Sequence, residues 1–495
     1  MMLLAGLDIG STGCKLSVFT VEGELLGSIS REYPVLRSHS AHEADATAIW
    51  EAVRALIAES AVSYPGIAGI GITSFGESFV LLDENDEPLL PVMLYTDPRG
   101  EEQARRLEEK VGRENLIRIT GLTAHPMYSL PKLMWVRENL PEIWEKTRKI
   151  CLMEDYIVYK LTGKAQIDYS LATRTMAFDI EHLCWSETLC TAAGIDSGLF
   201  SKPVPTGTSA GQLKKELTEA LGLWEGAIAV SVSHDQVAAA IGSGVLDESR
   251  TVDGAGTVQC TTPVFREYDP MKMADNNYCI VPFVKKGSYV TYAFSYTGGA
   301  LVKWFVENLA ADAALEAKSK GCSVYDLLEG SADGEPTGIL VLPHFAGAAT
   351  PYMDSGSKGA IVGLTLSHTQ KDIYRAVMEG VCYEMRLNQE LLAQSGVKVA
   401  PLHATGGGAK SRLWMQMKAD VLNVPVTALT TPEAGAAGSA MLVGVALGLY
   451  PTLEGAAAKM VKVREVFQPR PEAHEKYEAV YQRYKGLYQA IRPIM

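Results

Sequence analysis

Residues 3–21 read LLAGLDIGSTGCKLSVFTV: an apolar run that ends at Asp8, a turn of glycine, serine and threonine, then a segment alternating with period two. That pattern is strand, tight turn, strand. Another turn at Glu22 and Gly23 leads into ELLGSISREY, so the chain opens as a β-meander. Residues 251–264, TVDGAGTVQCTTPV, repeat the design, with an apolar strand, a turn over Asp253, Gly254, Ala255, Gly256 and Thr257, and a second alternating strand. Two such openings predict two related halves with a boundary near 245–252.

Working outward, a helix is expected from about Asp45, with Ile49, Val53, Leu56 and Ile57 on one face, followed by a short buried strand, GIAGIGITSF. IAVSVSHDQVAAAIGSGV reads as a strand running into a small-residue helix, with His234 and Asp235 at the junction. Strand and helix alternate, so the class is α/β. The second half predicts a helix over 370–394, with Ser367 and Gln370 as its capping box. VAPLHATGGGAKSRLWMQ then gives strand, three-glycine turn and helix. VPVTAL gives a strand before a long small-residue helix, and the charged tail from about 460 is expected to be helical and external.

With 495 residues, 47% of them hydrophobic and 21% charged, the chain has the balance of a globular protein of two or more domains. Lys plus Arg is 45 against 58 Asp plus Glu, a net charge of −13, which argues against a nucleic-acid partner and requires any anionic ligand to be held locally. The eight cysteines form no CxxC pair and read as reduced thiols in a cytoplasm. The N-terminus has no basic region, so no secretory signal is expected. The uncharged stretch Ala434 to Leu453 is rich in alanine and glycine and reads as a buried soluble helix, not a membrane span.

Three glycine-rich turns each follow a strand: Gly10 to Gly13, Gly254 to Thr257 and Gly406 to Gly408. Glycine lets backbone N–H groups approach an anion, and flanking hydroxyls add donors. Any one of them is also an ordinary tight turn; the three together point to a polyphosphate. No GxxxxGK[ST] occurs and no GxGxxG follows the first strand, so the P-loop class is excluded and a Rossmann dehydrogenase disfavoured. Asp8, ending a buried strand, either holds a cation such as Mg²⁺ or caps its own turn. Asp235 suits a general base at a strand's C-terminal end or a helix N-cap. Glu77, Asp97 and Arg99 lie in loops after apolar strands, as groups that orient polyol hydroxyls or as solvated charges. His39 and His42, in HSAH, make a poor metal site.

MYSLPKLMWVREN, Met127 to Asn139, and GAIVGLTLSHTQKDIYRAVME, Gly359 to Glu379, resemble the two signatures of the FGGY family of carbohydrate kinases, and the likeness covers nearly the whole chain. It implies two actin-like (ribonuclease H-like) ATPase domains, residues 1–246 and 247–495, with an active-site cleft between them. DIGST resembles the first phosphate motif, which implies Mg²⁺ at Asp8 and ATP phosphates at Gly10, Ser11, Thr12 and Lys15. Gly256 and Thr257 resemble the second phosphate loop. TGGGAKSR resembles the adenosine motif, with Gly407, Gly408 and Arg412 lining the nucleotide. HDQVAAAIG resembles the segment that holds the catalytic base, Asp235, with Gln236 on the sugar beside Glu77, Asp97 and Arg99.

The activity this implies is ATP-dependent phosphorylation of a primary hydroxyl of a small sugar, with ATP and Mg²⁺ as cofactors, in the cytoplasm, by a chain that other family members would lead one to expect as a homodimer. Glycerol kinases carry Arg where this chain has Gly76, so their clamp is missing. Glu77 stands where xylulokinases usually have His, and Ala348 and Ala349 replace bulkier residues of the loop FAGAATPYMD. A ketopentose such as xylulose leads; gluconate, another ketose or a polyol follows. The rival of another class is a non-catalytic nucleotide-dependent sensor with the same fold.

Overall fold

The computed structural model describes residues 2–38, 40–330, 335–430 and 433–495, so His39 lies outside the described residues. They form two compact units, one comprising the chain up to Leu246 with Cys279–Val290 and Glu433–Val461, the other Asp247–Tyr278, Thr291–Pro432 and Lys462–Met495.

The first unit is built on a six-stranded sheet in the order Thr208–Gln212, Ile228–His234, Ile67–Ser74, Leu3–Ile9, Gly13–Thr20, Leu25–Glu32. Ile228–His234, Ile67–Ser74 and Leu3–Ile9 run parallel, and the remaining pairings are antiparallel. Leu3–Ile9 and Ile67–Ser74 are covered on both faces, hence their unbroken apolar reading, whereas Leu25–Glu32 at the edge alternates toward solvent. Helix Ala46–Ser63 packs on the meander and starts where Asp45 accepts a hydrogen bond from Thr47 N at 2.8 Å.

In the second unit Val463–Phe467, Val426–Leu429, Leu402–Thr405, Thr251–Ala255, Gln259–Phe265 and Ala293–Ser295 pair in that order. The sequence of antiparallel and parallel pairings is the same as in the first sheet, so the two openings read in the sequence are the starts of two sheets of one topology. The turn lies later than expected: the strand continues through Gly254 to Ala255, and the bend falls on Gly256, Thr257 and Val258.

The helix Ala434–Ala446, expected in the second domain, packs in the first unit against helix Asp235–Gly242 and strand Leu3–Ile9. Glycine makes both contacts possible. A Cβ at Gly242 would stand 1.8 Å from Ala434 O, one at Gly438 2.1 Å from Ala238 O, and one at Gly6 2.2 Å from Ala436 O. Small residues here serve close backbone approach, which is why the segment carries no charge. The first unit therefore takes in residues from both sides of Leu246.

The tail also departs from expectation. Val463–Phe467 is an edge strand, and the helix after it, Pro471–Tyr484, buries Tyr477, Tyr481 and Tyr484. Helix Gln370–Gln394 starts at a capping box of Thr369 and Asp372, two residues beyond the pair read from the sequence, because Asp372 reaches back to the Thr369 N–H at 2.7 Å. None of the eight cysteines forms a disulfide, and among the described residues no helix is long and apolar enough to cross a membrane.

Candidate active site

Asp8 lies at the C-terminal end of its strand, opposite Lys15 in the antiparallel register. Its carboxyl is pushed up to about 7, first by burial, then by the negative charge of Asp235, with Glu433 adding to it and Lys15 opposing. Lys15 is held by Glu433 at 3.1 Å. Asp8 thus feels two further carboxylates against one ammonium, an electronegative locus that a divalent cation would neutralise. Among the described residues no group of three or more His, Cys, Asp or Glu is placed to hold a metal alone. Asp8 would suit Mg²⁺ that takes most of its oxygens from phosphate and water.

The loop after Asp8 is tightly wound. Gly10 N donates to Gly13 O at 2.9 Å, the Tyr33 hydroxyl donates to Gly10 O, and Tyr33 N donates to Thr12 O at 3.2 Å. With those carbonyls occupied, Ser11 and Thr12 form the open tip, Thr12 exposed.

Asp235 is the first residue of helix Asp235–Gly242, directly after strand Ile228–His234. His234, not Asp235, holds the N-cap position. The Asp235 Oδ1 atom is buried with no hydrogen-bond partner, while the side chain keeps 37% of its surface exposed. Burial pushes this carboxyl up to about 6, against hydrogen bonds to Gln236 and the positive charge of Arg174. His234 Nδ1 lies 3.4 Å away, but burial and then Arg174 push that imidazole down to about 3, so it stays neutral and the contact is no ion pair. A carboxylate near neutrality with an unsatisfied oxygen is equipped to take a proton.

Glu77 is buried in a left-handed backbone conformation, φ 64°, and its carbonyl accepts from Ser129 Oγ at 2.6 Å. Its carboxylate meets Arg174, whose Nε donates to Oε1 at 2.6 Å. Asp97 and Arg99, expected to face the sugar, are engaged within the protein. Asp97 accepts from Arg99 Nε at 2.8 Å and from His42 N at 2.8 Å, and Arg99 also donates to Glu43 at 2.6 Å and lies over the Trp135 ring. Lys132 is fully buried, its ammonium pushed down to about 8 by burial, and it donates to Pro126 O.

The second unit holds a cavity of about 1540 Å³ lined by Gly256, Thr257, Gly407, Gly408 and Arg412, together with Lys303, Trp304 and Tyr325. Gly406, at φ 92°, lets the three-glycine turn fold back on strand Thr251–Ala255, where a Cβ would stand 2.7 Å from Ala255 O. Helix Gly299–Leu309 ties down the other loop, with Gly299 N donating to Gly256 O at 2.8 Å and Ala300 N to Thr257 O at 3.1 Å. Arg412 reaches Glu465 at 2.6 Å with 76% of its side chain exposed.

Residues 3–242 match the family model "FGGY family of carbohydrate kinases, N-terminal domain", and residues 255–447 match its C-terminal counterpart. The chain belongs to the FGGY family of carbohydrate kinases. It is 28% identical over 495 residues to a xylulose kinase of Bacillus subtilis, covering 99% of this chain and 97% of that one. It is 27% identical over 495 residues to a gluconokinase of Bacillus licheniformis, covering 99% and 96%. A crystal structure of ligand-bound xylulose kinase from Lactobacillus acidophilus superposes with a TM-score of 0.89 at 23% identity, covering 99% of both chains, and shares the two-domain fold.

In this FGGY kinase the sequence reading missed Arg174, Tyr33 and Glu433. Arg174 lies in ATRTM, 97 positions from the carboxylate it meets, with no motif around it. Glu433 was hidden because the segment it begins crosses back into the first unit.

Proposed function

We propose that this FGGY kinase transfers the γ-phosphoryl group of ATP to a primary hydroxyl of a small ketose, with a ketopentose such as xylulose as the leading substrate. The observation that carries the reading is Asp235, a carboxylate near neutrality whose Oδ1 has no hydrogen-bond partner. Asp235 accepts the hydroxyl proton as the new O–P bond forms and ADP leaves. Gln236 orients the sugar, and Ser11, Thr12 and Lys15 receive phosphate oxygens once Lys15 exchanges Glu433 for them. Asp8 would hold Mg²⁺, which when bound supplies charge neutralisation for the phosphates. Gly256, Thr257, Gly407, Gly408 and Arg412 take the nucleotide.

The B. licheniformis relative keeps gluconate as the second reading. The test is a panel of D-xylulose, L-xylulose, ribulose, fuculose, gluconate and glycerol, coupled to ADP release. A ketopentose should give the highest kcat/KM. No stimulation of ADP release by any of the six with Mg-ATP present would end the proposal.

A further inference from the structure

One charged side chain of the first unit has no role in the reading above, although it is packed against both Glu77 and the strand end that carries Asp235. Arg174 closes the short helix Tyr169–Thr173 and is 6% exposed. Its Nε and Nη2 both donate to Oε1 of Glu77, and its guanidinium lies over the Tyr128 ring, 5.1 Å from the centroid. The helix is registered on the strand: Asp168 caps it through Ser170 N at 2.8 Å, and His234 N donates to Ser170 Oγ at 2.9 Å. Arg174 is thus held in a set relation to His234 and Asp235.

Gly76 makes room for it. A Cβ at that position would stand 2.9 Å from Arg174 Cγ, 3.1 Å from Arg174 Cβ and 3.2 Å from His234 Cδ2. The space that a side chain at 76 would fill is therefore occupied by an arginine arriving from another element. Glu77, held in place by its left-handed backbone and by Ser129, supplies the counter-charge. Buried ions that lose their partner are costly, so the pair stays paired when substrate enters.

We propose that Arg174 and Glu77 together select the substrate: the pair presents a neutral but strongly polar face, with guanidinium donors and a carboxylate acceptor, that takes the hydroxyls of an uncharged ketose and rejects a sugar acid. The inference rests on the kinase reading above. An aldonate carboxylate placed here meets Glu77, Asp235 and Asp8, all of its own sign, while the positive charge of Arg174 is already offset by Glu77. A neutral ketose adds no charge and finds both a donor and an acceptor.

The experiment uses the full-length enzyme with Mg-ATP and measures kcat/KM for the best neutral ketose of the panel and for D-gluconate. Wild type is expected to favour the ketose by about a hundredfold or more. Glu77→Gln frees the guanidinium, so the ketose value should fall and the gluconate value rise, moving their ratio by about a hundredfold. Gly76→Ala keeps every charge but displaces Arg174, and should raise KM for the ketose about tenfold. Should Glu77→Gln show no cooperative melting, Gly76→Ala decides alone. A wild type that prefers gluconate overturns the inference while leaving the kinase intact. So does a ratio within about threefold of wild type in folded Glu77→Gln, or an unmoved KM in Gly76→Ala. Absence of turnover with every sugar strikes the kinase reading itself.

Discussion

Lys418 Nζ lies 2.7 Å from Asp253 Oδ2, and neither side chain is exposed to solvent. Asp253 occupies in the second sheet the position that Asp8 occupies in the first, on the strand that opens a meander of the same topology. One aspartate is neutralised by a lysine from helix Arg412–Leu422 and also accepts from Gln259 at 2.6 Å. The other is left among carboxylates with its pKa raised. The same element is structural in one unit and available for chemistry in the other.

Removing the ammonium while keeping the carboxylate should therefore be severe. Lys418→Met is expected to destabilise the protein by about 3–5 kcal/mol, because it strands a buried charge. Adding Asp253→Asn should restore most of the loss. Chemical denaturation of the two variants checks this; a double mutant no more stable than the single would contradict it.

Asp235→Asn should lower kcat by about a hundredfold to ten-thousandfold while nucleotide still binds. In the wild type, kcat/KM should fall as pH drops through about 6, since the base must be ionised to accept a proton. Steady-state kinetics with an ATP-binding titration separates loss of chemistry from loss of fold.

Chelation of divalent cations should abolish ADP release, and Asp8→Asn should raise the Mg²⁺ concentration needed for half-maximal rate by about tenfold or more. Activity titrated with Mg²⁺ at saturating ATP and sugar reads this directly. Equal Mg²⁺ dependence in variant and wild type would remove Asp8 from the metal.

Three acids on elements packed against strand Ile228–His234 set a pH dependence of stability. Burial pushes Asp155 up to about 7 and Asp168 up to about 6, and raises Glu154 well above its ordinary value. Their folded values exceed their unfolded ones, so the native state binds more protons between about pH 4 and 7, and stability falls as pH rises through that window. Asp155→Asn, whose Oδ1 has no partner to lose, should lessen the drop in Tm between pH 5 and 8. Asp168→Ala should instead destabilise at both pH values, since it removes the cap on helix Tyr169–Thr173.

Much of the fold was legible because local rules and tertiary structure agree. Leu3–Ile9 reads as a buried strand since it is covered on both faces, and Asp45 announces its helix by capping it. What escaped was decided at a distance. VREVF at 463–467 carries two charges, Arg464 and Glu465, and reads as polar tail, yet an edge strand needs only one covered face to join a sheet. Of the site, the glycine turns and Asp235 were visible as strand-end features. Asp97 and Arg99 were visible as charges, but their engagement with His42 and Glu43 is non-local. Arg174 was invisible because its meaning comes from the missing side chain at Gly76.

The helix Ala434–Ala446 imposes an order on biosynthesis. Residues up to Leu246 leave the ribosome long before the segment that covers helix Asp235–Gly242 and strand Leu3–Ile9 has been translated. Until then the nascent first unit exposes Gly6, Gly242 and Gly438's future seat as an uncovered apolar floor. A chain cut after Leu246 would carry that exposure permanently, so the first unit alone should require a chaperone or the supplied segment 433–461 to stay in solution.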